Sequence, residues 1–153
     1  MHPNPTDEPA EEPAGESMKL PSGALVYAQQ LVIPNGHLTW GELTKNCSRV
    51  PEDRKIEGNL IQLATKFEDI RQRLGNQPIK ITSGYRPPAV NRAVGGASRS
   101  RHLTGEAIDI IPGIGLNQAY SIMNGWWPHA LGDGRKRGFL HIDIRPYRVR
   151  FGY

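Results

Sequence analysis

Two stretches decide the fold of this chain, residues 100–109 (SRHLTGEAID) and residues 139–145 (FLHIDIR). Each alternates apolar and polar residues over part of its length, which is the pattern of a strand with one face in the core. Because successive side chains of a strand point to opposite faces, Ile108 and Ile110 are predicted to face the core. Asp109 then lies on the other face between apolar neighbours, where an unpaired carboxylate would be very costly. Asp109 is therefore predicted to have a partner.

The second stretch repeats this arrangement. Its core face carries Leu140, Ile142 and Ile144, and its opposite face carries Phe139, His141, Asp143 and Arg145. If the two strands pair in one sheet, His102, Asp109 and His141 can converge on one face. Two imidazoles and one carboxylate leave a coordination position open for water, which is typical of a catalytic zinc site and not of a closed structural one. Cobalt and nickel also accept such ligands, and each residue taken alone is more often structural than a ligand.

The rest of the chain supplies helices and short strands around this pair. The clearest helix is predicted over residues 56–74, where apolar residues recur at helical spacing until Gly75 and Pro78 end the pattern. Thr39 and Glu42 have the spacing of a capping box at the start of a short helix. The other predicted elements are strands over residues 24–33, 79–82 and 106–111, a helix over 116–124, and a hairpin of 139–145 with 147–151 about Pro146. Together they predict an α+β domain with a small antiparallel sheet packed against helices and the zinc site on one sheet face.

The composition excludes several classes of protein. With 153 residues, of which 37% are hydrophobic, the chain can build one domain with a modest core. No stretch approaches the roughly 20 apolar residues that span a bilayer, and the N-terminus lacks the basic-then-apolar pattern of a secretory signal. The single cysteine, Cys47, excludes an internal disulfide and a cysteine-based zinc finger.

Charge divides the chain into two parts. Residues 1–17 hold four prolines and five acids with no Lys or Arg, so we expect a disordered acidic tail there. Residues 18–153 carry all 19 Lys and Arg residues and ten of the 15 acids, a net charge of +9, and are predicted to form the folded domain. A basic domain can favour nucleic acid, an anionic membrane or an acidic cell-wall polymer, and charge alone does not choose among them.

Four motifs in this order resemble one known family. The motif Ser-x-His-x-x-Gly-x-Ala-x-Asp at 100–109 and His-x-Asp at 141–143 are similar to the zinc D-alanyl-D-alanine carboxypeptidase family. Upstream, SGYRPP at 83–88, followed by Asn91 and a Gly-Gly pair, matches the same family, and LTWGEL at 38–43 resembles its small single-domain branch. That family also includes peptidoglycan endopeptidases, several of them phage lysis enzymes. The resemblance covers residues 37–148.

The resemblance implies roles for individual residues. His102, Asp109 and His141 fall on the zinc ligands of the family. Arg86 falls on the arginine that steadies a substrate carboxylate or carbonyl oxygen, a task for which a permanently charged, two-pronged guanidinium is suited. Ser100 is expected to orient the substrate or the ligand loop, and a simple turn hydroxyl is an equally good interpretation.

The general base departs from the family pattern. Several branches place an acidic base three residues before the second zinc histidine, and here that position is Gly138. Three other residues are candidates. Asp143 shares a strand face with His141 and could act as base or could orient a ligand. His129 follows a rigid Trp-Trp-Pro segment and could serve as base or oxyanion stabiliser, whereas Asp133, between two glycines, most simply makes a turn.

The function predicted from these observations is a zinc-dependent peptidase, over residues 18–153, that acts on peptidoglycan peptides. Asp143, His129 and Arg86 are its expected catalytic residues, with Arg86 and Ser100 binding substrate. The missing acid at position 138 favours an endopeptidase slightly over a carboxypeptidase. We expect a monomer that has no nucleic acid partner and acts on the cell wall.

Two alternatives to the peptidase remain open. One is a zinc-binding module without hydrolytic activity on the same fold, which the absence of an acid at Gly138 suggests. The other is a polyanion or nucleic-acid binder. Its basic residues would be Arg135, Lys136, Arg137, Arg145, Arg148 and Arg150. This second alternative leaves the pattern of His102, Asp109 and His141 unexplained.

Overall fold

A computed structural model describes residues 15–153 of the chain. Residues 1–14, most of the predicted acidic tail, lie outside the described residues. Ser17, its last predicted residue, already belongs to a strand, so the boundary placed after it falls inside an element. The helices are α1 (Trp40–Thr44), α2 (Arg54–Arg73), α3 (Pro88–Ala93) and α4 (Leu116–Trp126). The strands are β1 (Ser17–Lys19), β2 (Leu25–Tyr27), β3 (Ile79–Ser83), β4 (Ala107–Pro112), β5 (Ala130–Gly134), β6 (Phe139–Asp143) and β7 (Val149–Gly152).

The strands form two sheets, and the predicted α+β class is confirmed. β1 and β2 make a small antiparallel pair, and the main sheet has the order β3-β4-β6-β5-β7. All neighbours in the main sheet are antiparallel except β5 and β7, which are parallel. Within residues 15–153, no helix combines the length and the apolar composition that crossing a bilayer requires.

The predicted hairpin about Pro146 is wrong. β7 does not pair with β6 but lies parallel to β5, with Ala130 opposite Val149. The reason is β5 itself, which the sequence analysis missed because two of its five residues are glycine. A 3-10 turn at Arg135–Arg137 joins β5 to β6 as an antiparallel pair, so only the outer edge of β5 is left for β7. Asp133, predicted to make a turn, accordingly lies within β5.

Helix α2 forms where the apolar periodicity predicts it. The Asp53 side chain caps its first turn by accepting a hydrogen bond from the Ile56 backbone N–H at 2.8 Å. Its buried face carries Leu60, Leu63, Ala64, Phe67 and Ile70. These side chains share one core with the inward-facing residues of β4 and β6, namely Ile108, Ile110, Leu140 and Ile142. The opposite face of the two strands is thereby left for polar residues.

Helix α1 is fixed against the segment that follows β3. The predicted capping box of Thr39 and Glu42 is confirmed, with both reciprocal hydrogen bonds present. The backbone N–H of Tyr85 donates to the Leu43 carbonyl at 2.8 Å. A Cβ at Gly84 would lie 2.6 Å from that carbonyl oxygen, so this close approach requires glycine. Helix α1 and the SGYR segment are therefore held in close contact with each other.

We expect truncation of the core face of α2 to destabilise the fold. Leu63 is completely buried, so Leu63→Ala should lower the free energy of unfolding by about 2–5 kcal/mol. Ile61 on the same helix is 38% exposed, and Ile61→Ala should cost less than about 1 kcal/mol. Urea titration followed by circular dichroism compares the two variants. Equal losses would contradict the assignment of the buried face.

Candidate metal centre

Three predicted ligands meet on the polar face of the sheet. His102 lies in a 3-10 turn, Arg101–Thr104, and Asp109 on β4 is directly opposite His141 on β6. Asp109 Oδ1 lies 3.1 Å from His102 Nε2 and 3.1 Å from His141 Nδ1. All three side chains are buried, and one donor atom from each lies within 4.8 Å of the others. The structure therefore brings the three residues together as the strand alternation requires.

The ring of His102 is held by its own turn and by the SGYR segment. The Ser100 hydroxyl accepts a hydrogen bond from the His102 backbone N–H at 3.2 Å, and Gly105, at a φ of 76°, turns the chain into β4. Nδ1 of His102 lies 2.7 Å from the Gly84 carbonyl oxygen. Because a carbonyl can only accept, Nδ1 carries the proton and donates it there. Nε2 is left to face Asp109.

The ring of His141 is held by a buried carboxylate. Asp143 Oδ2 lies 2.8 Å from His141 Nε2, and the Asp143 side chain has no exposed surface. Arg145 donates to both oxygens of Asp143, through Nε at 2.8 Å and Nη2 at 2.7 Å. Burial alone would raise the pKa of Asp143, but the hydrogen bonds from Arg145 and His141 outweigh it and hold that pKa well below its usual range. Asp143 is thus an anion that accepts a hydrogen bond from the Nε2–H group of His141.

Asp109 accepts contacts at both of its oxygens. Oδ2 receives a hydrogen bond from Arg86 Nη2 at 3.1 Å, and Arg86 Nε donates to the Ser83 hydroxyl at 3.0 Å. Burial alone would raise the pKa of Asp109, but its contacts with His102 and His141 dominate and hold it well below its usual range. In the same way burial would lower the pKa of His141, and the two carboxylates beside it raise that pKa instead.

The directions of these hydrogen bonds test whether a metal fits. With protons on Nδ1 of His102 and on Nε2 of His141, the neutral rings present two lone pairs to the ionised Asp109. Three acceptor atoms that converge need either extra protons or a cation between them. Two imidazole nitrogens and one carboxylate oxygen are a donor set well suited to zinc. The other N–H group of each ring is bound by a carbonyl or a carboxylate, which is typical of histidines that bind a metal. His102, Asp109 and His141 are the residues that would hold it.

Comparison with known proteins agrees with this site. The sequence profile of the family described as Peptidase M15 matches residues 33–143. The chain belongs to the peptidase M15 family. It is also 38% identical over 52 residues to a zinc D-Ala-D-Ala carboxypeptidase of Streptomyces albus G. That match covers 34% of this chain and only 20% of the length of that protein. The family and the cluster together support a zinc metallopeptidase as the enzyme class.

The positions of the predicted bases narrow their roles in this M15 domain. Asp143 is fully occupied by Arg145 and His141, so its place favours orienting the ligand over accepting a proton from water. His129 is not among the residues that line the cleft over the metal ligands. Its Nδ1 lies 2.7 Å from the Arg145 carbonyl, and its ring packs edge-on against buried Trp127. This position does not favour His129 as base or oxyanion stabiliser, and that role stays a prediction.

Asp133 also lies away from the metal ligands. On β5 it alternates with Gly132, the residue opposite His141, and so its side chain points to the other face of the sheet. Its carboxylate pairs with Arg135, through Oδ2 and Nη2 at 2.8 Å. This position does not favour Asp133 as the base. Among residues 15–153, Asp109 is then the single carboxylate that lines the cleft.

The cleft over His102, Asp109 and His141 has a volume of about 740 Å³ and an aromatic wall. The wall consists of Phe139, Phe151 and Tyr153, and the rings of Phe151 and Tyr153 lie 5.3 and 6.4 Å from the His141 ring. Burial, followed by the charge of Asp109, raises the pKa of Tyr153 to about 12, so its phenol stays a hydrogen-bond donor at neutral pH. The sequence analysis placed Phe139 on this face but missed Phe151 and Tyr153, because it paired β7 with β6 instead of β5.

We expect zinc binding to depend on the histidines of the cluster. His102→Ala and His141→Ala should each lose the near-stoichiometric zinc of the wild type, because two of the three ligands do not close a site. His37→Ala is the control, since His37 lies at the surface paired with Glu68. Mass spectrometry of metal content, on protein purified without a metal-affinity tag, makes the comparison. Zinc retained by both cluster variants would contradict the assignment.

A second prediction separates Asp143 from an ordinary Asp-Arg pair. Asp143→Asn should weaken zinc binding by about 10–100-fold, because a neutral amide no longer polarises the Nε2–H of His141. Asp133→Asn is a matched control, because Asp133 pairs with Arg135 two residues later just as Asp143 pairs with Arg145. Competition with a chromophoric chelator measures both affinities. Equal affinities in the two variants would exclude an orienting role for Asp143.

Proposed function

We propose that this domain is a zinc-dependent peptidase that hydrolyses peptide bonds in the stem peptides or cross-links of peptidoglycan. The observation that carries the proposal is the convergence of His102, Asp109 and His141 at the floor of an open cleft. Membership of the peptidase M15 family supports the reaction class. The name of the Streptomyces relative, a D-Ala-D-Ala carboxypeptidase, supports the substrate class.

The residues around the site hold the zinc ligands in a defined orientation. A zinc ion at such a site lowers the pKa of water and polarises a carbonyl group. The protein keeps the ligand rings in one tautomer each, through the Gly84 carbonyl for His102 and through Asp143 for His141. Arg145 neutralises the buried charge of Asp143 and so keeps it ionised. These contacts hold the ligands in place before substrate arrives, which lowers the reorganisation needed for reaction.

We assign substrate binding to Arg86. Its Nη2 and Nε are held by Asp109 and Ser83, and within residues 15–153 no hydrogen bond from its Nη1 is found. Because Arg86 lines the cleft, this donor can bind a carboxylate or a carbonyl oxygen of the substrate. Ser100 lines the same cleft, but its hydroxyl already accepts a hydrogen bond from the backbone of His102. We therefore expect Ser100 to orient the loop that carries His102, in preference to binding substrate.

The charge and shape of the cleft fit an anionic peptide. Arg99 and Arg137 line it, and neither forms an ion pair with an acid in the described part of the chain. Peptidoglycan stem peptides carry free carboxylates that such groups attract. A second cavity of about 700 Å³ adjoins the cleft across Arg86, Val94 and Asp109. Space on both sides of these residues favours an endopeptidase slightly over an enzyme that removes a terminal residue.

A zinc-binding module without hydrolytic activity is the second candidate. The observation that favours it is the absence of a free carboxylate in the cleft, within the described residues, to accept a proton. The polyanion binder has less support, because several of its basic groups are already used internally. Arg135 pairs with Asp133, and Arg150 binds the carbonyls of His129 and Trp127.

Digestion of purified peptidoglycan distinguishes these functions. The zinc-loaded wild type should release new amino groups and shortened or uncross-linked peptides, identified by mass spectrometry. His102→Ala should release none above background, and His37→Ala should match the wild type. The mass of the products decides between loss of a terminal residue and opening of a cross-link. Zinc-loaded wild type that sediments with peptidoglycan but cleaves nothing would favour the non-catalytic module and contradict the peptidase.

A further inference from the structure

The cavity beside the metal cleft has a cationic wall to which no role has been assigned. Its lining includes Arg86 and Asp109, which it shares with the cleft, and also Lys45, Asn46 and Arg49. The last three follow helix α1, which is fixed against the SGYR segment through Gly84. The wall is therefore held at a set distance from the metal ligands.

Arg49 is anchored directly next to Arg86. Its Nη1 donates to the carbonyl of Tyr85 at 3.2 Å, and Tyr85 is the residue before Arg86 in the chain. Burial, followed by the positive charge of Arg86, lowers the pKa of Arg49, although a guanidinium keeps its charge at any physiological pH. Two guanidinium groups of like charge thus line one cavity together with the exposed Lys45.

No acid in the described part of the chain neutralises Arg49. Residues 15–153 contain no ion pair that involves Arg49 or Lys45. Two acids line the cavity, and both are engaged elsewhere. Glu42 Oε1 accepts the backbone N–H of its helix cap, and Asp109 faces the histidines and Arg86. A half-buried arginine without a carboxylate has donors to offer to a ligand.

The backbone that carries this wall is held in an unfavourable conformation. Lys45, Asn46 and Cys47 have φ values of 48°, 56° and 65°, three successive residues other than glycine in the left-handed region. Such residues cost conformational energy, and they persist where surrounding contacts hold them. Here the Asn46 N–H donates to the Gly41 carbonyl and the Arg49 N–H to the Thr44 carbonyl, each at 3.0 Å or less. The turn that results carries Lys45 and Arg49 on the side of the cavity.

We propose that Arg49 and Lys45, together with Arg86, form a pocket that binds a free carboxylate on the residue that leaves during hydrolysis. The inference rests on the proposed peptidase function and specifies its substrate. A guanidinium binds a carboxylate through two parallel hydrogen bonds. Because two guanidinium groups repel each other in the free pocket, a bound anion also offsets that repulsion. A chain-terminal carboxylate and the carboxylate of a cross-linked leaving residue both have this chemistry.

Paired substrates test the pocket. The probes are an acetylated peptide that ends in D-Ala-D-Ala, the same peptide with a C-terminal carboxamide, and a cross-linked peptide whose leaving residue keeps a free carboxylate. The wild type should prefer the carboxylate to the carboxamide. Arg49→Met should raise KM for the carboxylate peptide about tenfold and change kcat little, because uniform binding is lost. Arg49→Lys should recover part of the loss.

Controls keep the result independent of folding and of metal. Lys55→Met removes one positive charge from the exposed first turn of α2 and should leave the preference of the wild type intact. Zinc content and melting temperature of each variant identify a folding defect. A loss with both the linear and the cross-linked carboxylate assigns the pocket to the leaving residue in general. A loss with the linear peptide alone assigns it to a chain terminus.

Two outcomes separate this inference from the proposed function. If the wild type cleaves both members of the linear pair with the same preference as Arg49→Met, the carboxylate pocket is wrong and the peptidase stands. If the zinc-loaded wild type cleaves none of the peptides, the peptidase is wrong, and calorimetric binding of the linear pair decides the pocket. Tighter binding of the carboxylate that Arg49→Met abolishes supports the pocket, and equal binding overturns it.

Discussion

The antiparallel pairing that sets Asp109 opposite His141 is the constraint on which the rest of the site depends. It brings a carboxylate into a buried position among apolar strands, where it is stable only if donors or a cation surround it. His102 reaches it from the turn before β4, Arg86 from the segment after β3, and His141 across the sheet. Four separate parts of the chain therefore meet at one pair of oxygen atoms.

The hydrogen-bond partners of His102 and His141 determine which ring nitrogen of each is free to bind a metal. A backbone carbonyl behind His102 and a buried carboxylate behind His141 take the ring protons on the side away from Asp109. The remaining ring nitrogens, Nε2 of His102 and Nδ1 of His141, are acceptors that face the acceptor oxygen of Asp109. Such an arrangement is favourable only when a cation or extra protons lie between these atoms. Asp143 can stay charged at complete burial because Arg145 binds both of its oxygens. The ion pair of Asp143 and Arg145 thus fixes the orientation of the His141 ring.

The sequence predicts the faces of the strands well and their order poorly. Alternation of Ile108, Asp109 and Ile110 is a local signal, and it places the ligands on one face correctly. The pairing of β7 with β5 depends on contacts far apart in the chain, and the glycines of β5 weaken the local strand signal. The tautomer of each histidine depends on the position of Gly84 and on the rotamer of Asp143. Neither can be read from spacing. The contact of the His129 ring with the Arg145 carbonyl likewise depends on the fold and not on local sequence.

The sheet assigns stability and chemistry to opposite faces of the same strands. Ile108, Ile110, Leu140 and Ile142 pack into the core, whereas Asp109, His141 and Asp143 lie on the other face, between them in sequence. A slip of one residue in β4 would turn Asp109 into the core, and a slip in β6 would turn His141 and Asp143 into it. The hydrophobic pattern that determines the register of β4 and β6 therefore also determines the geometry of the metal ligands.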